Sequence, residues 1–110
     1  MKSLGRKTII AGLIAIAAGF AFATYAQNTP DALFQSKCST CHGADGSGNT
    51  PAGRAAGAKD FRDPEVVKEV DVELQEVIER GRKKMPGYQG KLSEDQVDAL
   101  VRYIRQLQGK

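Results

Sequence analysis

Three residues with the chemistry of cofactor attachment lie within five positions of one another: Cys38, Cys41 and His42, in the run Cys-Ser-Thr-Cys-His. On one helical turn, two thiols three residues apart face the same side and can add to two vinyl groups on one edge of a porphyrin. The imidazole that follows then points towards the iron, for which it is a common ligand. The spacing predicts covalent attachment of one haem through Cys38 and Cys41, with His42 as an axial ligand.

Three other uses of this motif stay open. A dithiol redox centre of the thioredoxin type needs alternating strands and helices, which the sequence pattern lacks. A zinc site usually takes four Cys or His ligands, whereas the chain contains two Cys and one His. A disulfide would close a very short loop, stabilise the fold little and leave His42 unexplained. Haem attachment is the interpretation that uses all three side chains.

A second axial ligand is expected at Met85, which is the one methionine after Ala26 and lies in the run Lys-Lys-Met-Pro-Gly-Tyr. Proline and glycine predict a loop here, and a loop can bring a thioether to a metal without helical constraint. Methionine more often fills gaps in a hydrophobic core, but the basic surroundings favour ligation. If Met85 does not bind, Lys83, Lys84 or Tyr88 could bind instead, or the position stays open.

Residues 1–26 have the pattern of a secretory signal peptide. Basic residues precede an apolar run, and small residues offer cleavage after Ala23 or Ala26. The apolar run approaches the roughly 20 residues that a membrane span needs, so an uncleaved anchor is the alternative, and only then would the protein meet a membrane. We expect one domain over residues 27–110, in the periplasm or another extracytoplasmic space.

The basic excess of the chain lies in that same N-terminal segment. The full sequence has 16 Lys and Arg against 13 Asp and Glu, with a pI near 9.0. Because Lys2, Arg6 and Lys7 belong to the signal segment, the remaining charges balance. No recognition motif for nucleic acid accompanies the charge, so we expect no nucleic-acid binding.

Capping signals predict where the helices begin. Thr29 before Pro30, and Asp63 before Pro64, each pair a good N-cap with proline at the first helical position. Asp71 is a further candidate cap. The helices expected from these signals cover residues 30 to about 41, 65 to about 70, and 71 to Gly81.

The last helix has the clearest signature, because Ser93 and Gln96 form a capping box and Leu92 and Val97 occupy hydrophobic staple positions. Two glycine-rich stretches without apolar periodicity, 43–59 and 82–92, are expected to be loops. The predicted core face of the last helix consists of Val97, Leu100, Val101, Ile104 and Leu107.

With this motif, Met85 and the final helix, the chain from Asp31 to Leu107 resembles a class I cytochrome c of the short bacterial type. The resemblance implies an all-α cytochrome c fold in which three to five helices wrap around one covalently bound haem. It also implies that the first and last helices cross, with Phe34 meeting the last helix near Leu100 and Tyr103.

The same resemblance assigns two further residues. Pro51 lies in the segment whose carbonyl orients the ligand histidine, and Arg54 matches the basic residue that meets a haem propionate. The family usually has glycine where this chain has Pro30, four residues before the aromatic residue of the first helix.

The resemblance implies a carrier of single electrons between redox proteins, by Fe(III)/Fe(II) cycling, rather than an enzyme. Arg80, Arg82, Lys83 and Lys84 cluster just before the methionine. Docking of acidic redox partners is one interpretation of this cluster, and an ordinary solvated surface is the other. The other function classes are a haem enzyme or gas sensor, which needs an open iron position, and a subunit that relays electrons inside one fixed complex.

Overall fold

The computed structural model describes residues 28–110, so the predicted signal segment 1–26 lies outside the described residues. Within 28–110 the fold is all-α, as expected, with no strand. None of the helices in this part of the chain is both long and apolar enough to cross a membrane. The helices are α1 (Pro30–Lys37), α2 (Ser39–His42), α3 (Pro51–Ala56), α4 (Pro64–Val67), α5 (Asp71–Arg80) and α6 (Glu94–Gln108).

The predicted first helix is bent at Cys38 and divided into α1 and α2. The Thr29 hydroxyl accepts a hydrogen bond from the Ala32 N–H at 3.3 Å, as a capping residue should. Cys38 leaves regular helical geometry, yet its carbonyl still accepts from the His42 N–H at 3.0 Å. Counted as one bent helix, α1 and α2 bring the number of helices to five, within the expected range.

The prediction of an unbroken loop over 43–59 was wrong, because α3 lies inside it. Thr50 caps this helix, its hydroxyl accepting from the Gly53 N–H at 2.8 Å, and Pro51 takes the first helical position. Gly57 ends the helix in the left-handed region, at φ 74°. This is the cap and proline signal seen at Thr29 and Asp63, but the short helix has no apolar stripe to reveal it.

The two middle helices differ from expectation at their ends. Asp63 caps α4 as predicted, accepting from the Glu65 N–H at 3.0 Å, but α4 ends at Val67 rather than near Val70. Asp71 is the first residue of α5 and not its cap. The cap position is Val70, whose N–H donates to the Glu73 carboxylate at 2.9 Å. Gly81 ends α5 as expected, at φ 79°.

The capping box of α6 is confirmed. The Ser93 N–H donates to the Gln96 side chain at 2.9 Å, and the Gln96 N–H donates to the Ser93 hydroxyl at 3.2 Å. The five residues predicted for the inner face of α6 are all buried in the core.

The core forms where α1 and α6 cross. The Phe34 ring, 1% exposed, lies 5.1 Å from the Tyr103 ring, and the Tyr103 hydroxyl donates to the Asp31 carboxylate at 3.0 Å. Pro30 therefore does not prevent the crossing, because it occupies the first position of α1. The core residues are Leu33, Phe34, Phe61, Leu74, Ile78, Val97, Leu100, Val101, Ile104 and Leu107.

We predict that Val101→Ala lowers the free energy of unfolding by about 2 kcal/mol, because two buried methyl groups are lost and a cavity remains. Val101 is 2% exposed. Denaturant titration of the purified protein measures the change. Val72→Ala is the matched control, since Val72 is 59% exposed, and it should change stability by less than about 0.5 kcal/mol. Equal losses in the two variants would contradict this description of the core.

Candidate functional site

One cavity of about 310 Å³ brings together Cys38, Cys41, His42 and Met85. It lies between the α2 turn, the loop after α5 and the inner faces of α5 and α6. Its walls are largely apolar, which suits the body of a porphyrin and excludes water from an iron ligand. The apolar lining includes Phe34, Phe61, Leu74, Ile78, Leu100 and Ile104.

Both thiols are free and half-buried. Burial raises the pKa of Cys38 to about 11, and the nearby Lys37 charge opposes this rise only in part. The Cys38 side chain is therefore a neutral thiol at neutral pH. Neither the thioredoxin nor the zinc alternative gains support within residues 28–110, where there are no strands and no group of three or more His, Cys, Asp or Glu that could hold a metal.

His42 has the environment of a metal ligand. Its Nδ1 atom is buried without a hydrogen-bond partner, and burial lowers the pKa of the imidazole. A neutral imidazole keeps a lone pair on one ring nitrogen, and this lone pair is available to a metal. The residues of the cavity therefore fit a covalently held haem.

Phe61 holds the His42 ring in place, a contact that sequence reasoning missed. The two ring centroids are 4.8 Å apart with the planes at 33°. The Phe61 N–H donates to the Gly46 carbonyl at 2.9 Å, and a Cβ at Gly46 would lie 2.5 Å from the Phe61 ring. A lone aromatic residue after the glycine-rich stretch 43–59 was the available signal, but the contact joins positions far apart in sequence.

Helix α3 packs against the α2 turn. The Thr50 hydroxyl lies 2.8 Å from the Thr40 carbonyl oxygen and 2.9 Å from that of Cys41, so it can donate to either. A Cβ at Gly53 would overlap the Cys41 carbonyl oxygen, so only glycine allows this approach. The helix that was missed in the sequence thus fixes the position of the residues with the cofactor chemistry.

The structure does not bring Pro51 or Arg54 to the cavity. Pro51 is exposed at the start of α3, and His42 Nδ1 has no partner, so the expected bond to a carbonyl of this segment is not formed here. The Arg54 guanidinium donates to the Asn49 side chain at 2.6 Å. The cationic side chains that do line the cavity are Lys37, Lys59, Arg82, Lys83 and Lys84.

Met85 is half-buried in a loop that is closely fitted to the end of α5. Arg82 and Met85 exchange backbone hydrogen bonds of 2.9 and 3.2 Å, and the Tyr88 N–H donates to the Ile78 carbonyl at 2.9 Å. A Cβ at Gly87 would lie 2.7 Å from the backbone of α5. These contacts fix the backbone of the loop that carries Met85 to the cavity wall.

The three alternative ligands, Lys83, Lys84 and Tyr88, line the same cavity, but two of them donate hydrogen bonds elsewhere. The Tyr88 hydroxyl donates to the Lys37 carbonyl at 3.0 Å, and burial raises the pKa of this phenol. The Lys84 ammonium donates to the Ala55 carbonyl at 3.3 Å, and Lys83 is exposed with a left-handed φ of 54°. Met85 is the one of these residues whose side chain is a neutral soft donor.

Comparisons with known proteins agree with this site. Residues 26–104 match the family model described as cytochrome c oxidase, cbb3-type, subunit III. A solved structure titled KustC0563 c-type cytochrome is 35% identical, with a TM-score of 0.65, over 70% of this chain and 94% of that one. No curated protein matches the chain.

The matched residues include the Cys-Ser-Thr-Cys-His motif, Met85 and most of α6. The chain therefore belongs to the cytochrome c family described as cytochrome c oxidase, cbb3-type, subunit III, and is a c-type cytochrome, an electron-transfer haem protein.

Proposed function

We propose that this cytochrome holds one haem c through Cys38 and Cys41, with His42 and Met85 as its axial ligands, and carries single electrons between redox partners. The observation that carries the proposal is that these four side chains line one apolar cavity. The chain contains no further cysteine pair, so the sequence offers one attachment site.

The residues of the cavity have separate roles in this proposal. The two thiols fix the group covalently, the neutral His42 imidazole supplies nitrogen, and Met85 supplies a thioether that favours the reduced state. When bound, a haem supplies reversible Fe(III)/Fe(II) cycling. Phe61 holds the imidazole ring and the loop contacts hold the thioether, so the ligand geometry changes little between oxidation states.

Electron transfer is favoured over catalysis because the cavity is lined by two side chains, His42 and Met85, that can each supply an axial ligand. With both bound, no iron position would remain for a substrate or a gas. The chain has no second histidine that could serve as a distal acid or base. The family match supports the coarser statement that this is an electron-transfer protein.

The family name also supports a second candidate, a subunit that relays electrons within an oxidase assembly. Co-purification from native membranes distinguishes the two, because a free carrier leaves the assembly at moderate salt and a fixed subunit does not. In both cases we expect an extracytoplasmic location, with cleavage or retention of residues 1–26 deciding whether the protein is membrane-attached.

Partner docking is proposed at a basic lip, defined as Lys37, Lys59, Lys83 and Lys84, which line the cavity. The cluster expected from the sequence also included Arg80 and Arg82. Arg80 lines a neighbouring groove, and Arg82 lines the cavity but is paired with Glu69 at 2.8 Å. Ammonium groups at the cavity mouth would steer acidic partners towards it.

The identity of the second axial ligand can be tested by opening its position. We predict that the reduced wild-type protein does not bind carbon monoxide at neutral pH, whereas Met85→Ala binds it stoichiometrically, because a small ligand needs a vacant iron position. The oxidised variant should also lose the weak Met-to-ferric absorption band. Optical titration measures both changes.

Tyr88→Phe is the control for this experiment, since it removes an alternative ligand in the same loop. It should keep the absorption band and exclude carbon monoxide as the wild type does. Ready binding of carbon monoxide by the wild type would contradict ligation by Met85 and favour the gas-binding alternative.

The basic lip can be tested by charge reversal. We predict that Lys83→Glu with Lys84→Glu slows electron exchange with an acidic redox protein about tenfold at low ionic strength, and that the difference disappears at high salt. Stopped-flow kinetics at several salt concentrations measure the rates.

Lys91 provides the control for charge alone, because it is exposed and does not line the cavity. Lys91→Glu with the same partner should change the rate by less than about twofold. An effect of Lys91→Glu as large, per charge, as that of the lip variants would show that net charge and not the lip controls docking.

A further inference from the structure

An ion pair joins the Met85 loop to the connection between α4 and α5. The Arg82 guanidinium lies 2.8 Å from the Glu69 carboxylate, and Glu69 is 21% exposed. Arg82 is also the residue whose backbone exchanges two hydrogen bonds with Met85. A displacement of Arg82 would therefore displace the backbone of Met85 as well.

The connection that carries Glu69 is itself attached to the last helix. Arg105 of α6 donates to the Val67 carbonyl at 3.3 Å, to the Glu69 carbonyl, and to the Asp71 carboxylate at 3.0 Å. Although Arg105 is charged, its side chain is only 29% exposed. The connection is thus held rigidly against the core.

The ion pair lies between two concave spaces of the surface. Glu69 and Arg82 line both the 310 Å³ cavity and a neighbouring groove of about 720 Å³ that runs along α4 and α5. The pair forms part of the wall between the two spaces. If it separates, the Met85 loop loses its side-chain attachment on that side.

We propose that Glu69 and Arg82 are positioning residues for the axial ligand: their ion pair forms a clamp that holds Met85 on the wall of the cavity. Arg105 anchors this clamp to α6. The inference rests on the proposed ligation by Met85. The clamp lowers the population of a state in which Met85 has moved away and the iron position is open.

An external ligand measures that population. Imidazole competes with the Met85 thioether for the oxidised protein, so its apparent affinity rises in proportion to the population of the open state. Loss of a partly exposed ion pair should increase this population about threefold. Loss of the weak Met-to-ferric band on titration with imidazole reports the binding.

The experiment compares four variants of the haem-loaded protein. Glu69→Gln and Arg82→Gln should each bind imidazole about threefold more tightly than the wild type. Their combination should have the effect of either one alone, because both remove the same interaction. Arg82→Lys retains the charge and should restore part of the wild-type affinity.

Glu65→Gln is the matched control. Glu65 belongs to α4 and pairs with Lys68 at 2.7 Å. This ion pair lies within residues 65–68 and does not involve the Met85 loop. The substitution removes the same charge from the same region, so unchanged imidazole affinity in this variant excludes a general electrostatic effect on the iron.

The clamp is overturned if Glu69→Gln shifts imidazole affinity no more than Glu65→Gln, or if the effects of Glu69→Gln and Arg82→Gln add. A change in the denaturation midpoint with no change in imidazole affinity would assign the pair a purely structural role and also overturn it. Absence of the Met-to-ferric band in the wild type would instead refute ligation by Met85, and the clamp with it.

Discussion

The position of the Cys38 to His42 turn is the constraint on which the rest of the structure depends. Two thiols and an imidazole must face one cavity, and the turn achieves this only because α1 continues through a bend at Cys38. Phe34, one turn earlier, fixes α1 against α6. Thr50 and Gly53 hold the other side of the turn against α3. The core and the site are therefore a single packing arrangement.

The part of the cavity wall that carries Met85 is formed by a loop and not by a helix. The Met85 loop has no regular structure and takes its shape from backbone hydrogen bonds to the end of α5 and from close approach at Gly87. A small domain without much apolar surface gains stability from a large bound cofactor, so the site and the fold support each other. This arrangement places the Met85 thioether and the His42 imidazole on the wall of one cavity.

Local signals in the sequence predicted the type of cofactor chemistry and where most of the helices begin. The Cys-Ser-Thr-Cys-His run, the single methionine of the domain and the caps at Thr29, Asp63 and Ser93 depend on neighbours within four residues, so they are visible without a fold. Helix α3 carried the same kind of cap at Thr50 and was missed because the absence of an apolar stripe was given more weight.

The features that could not be predicted join residues far apart in the chain. The contact of Phe61 with His42, the burial of Arg105 against residues 67–71 and the pairing of Glu69 with Arg82 all depend on how the helices are arranged. A guanidinium such as that of Arg105 can satisfy several carbonyls while its stem is buried, and a charge pattern alone does not show this. The placement of Arg80 in the groove along α4 and α5, and the pairing of Arg82 with Glu69, were likewise not visible in the sequence.

The most direct test of covalent haem attachment is the intact mass of the protein together with its visible spectrum, after production in cells that contain the haem attachment machinery. The account predicts a mass that exceeds the polypeptide by one haem, and a Soret band that stays with the protein in acidified organic solvent. Replacement of both Cys38 and Cys41 by Ser should make the haem extractable. A wild-type protein with the mass of the polypeptide alone and no Soret absorption would contradict the account.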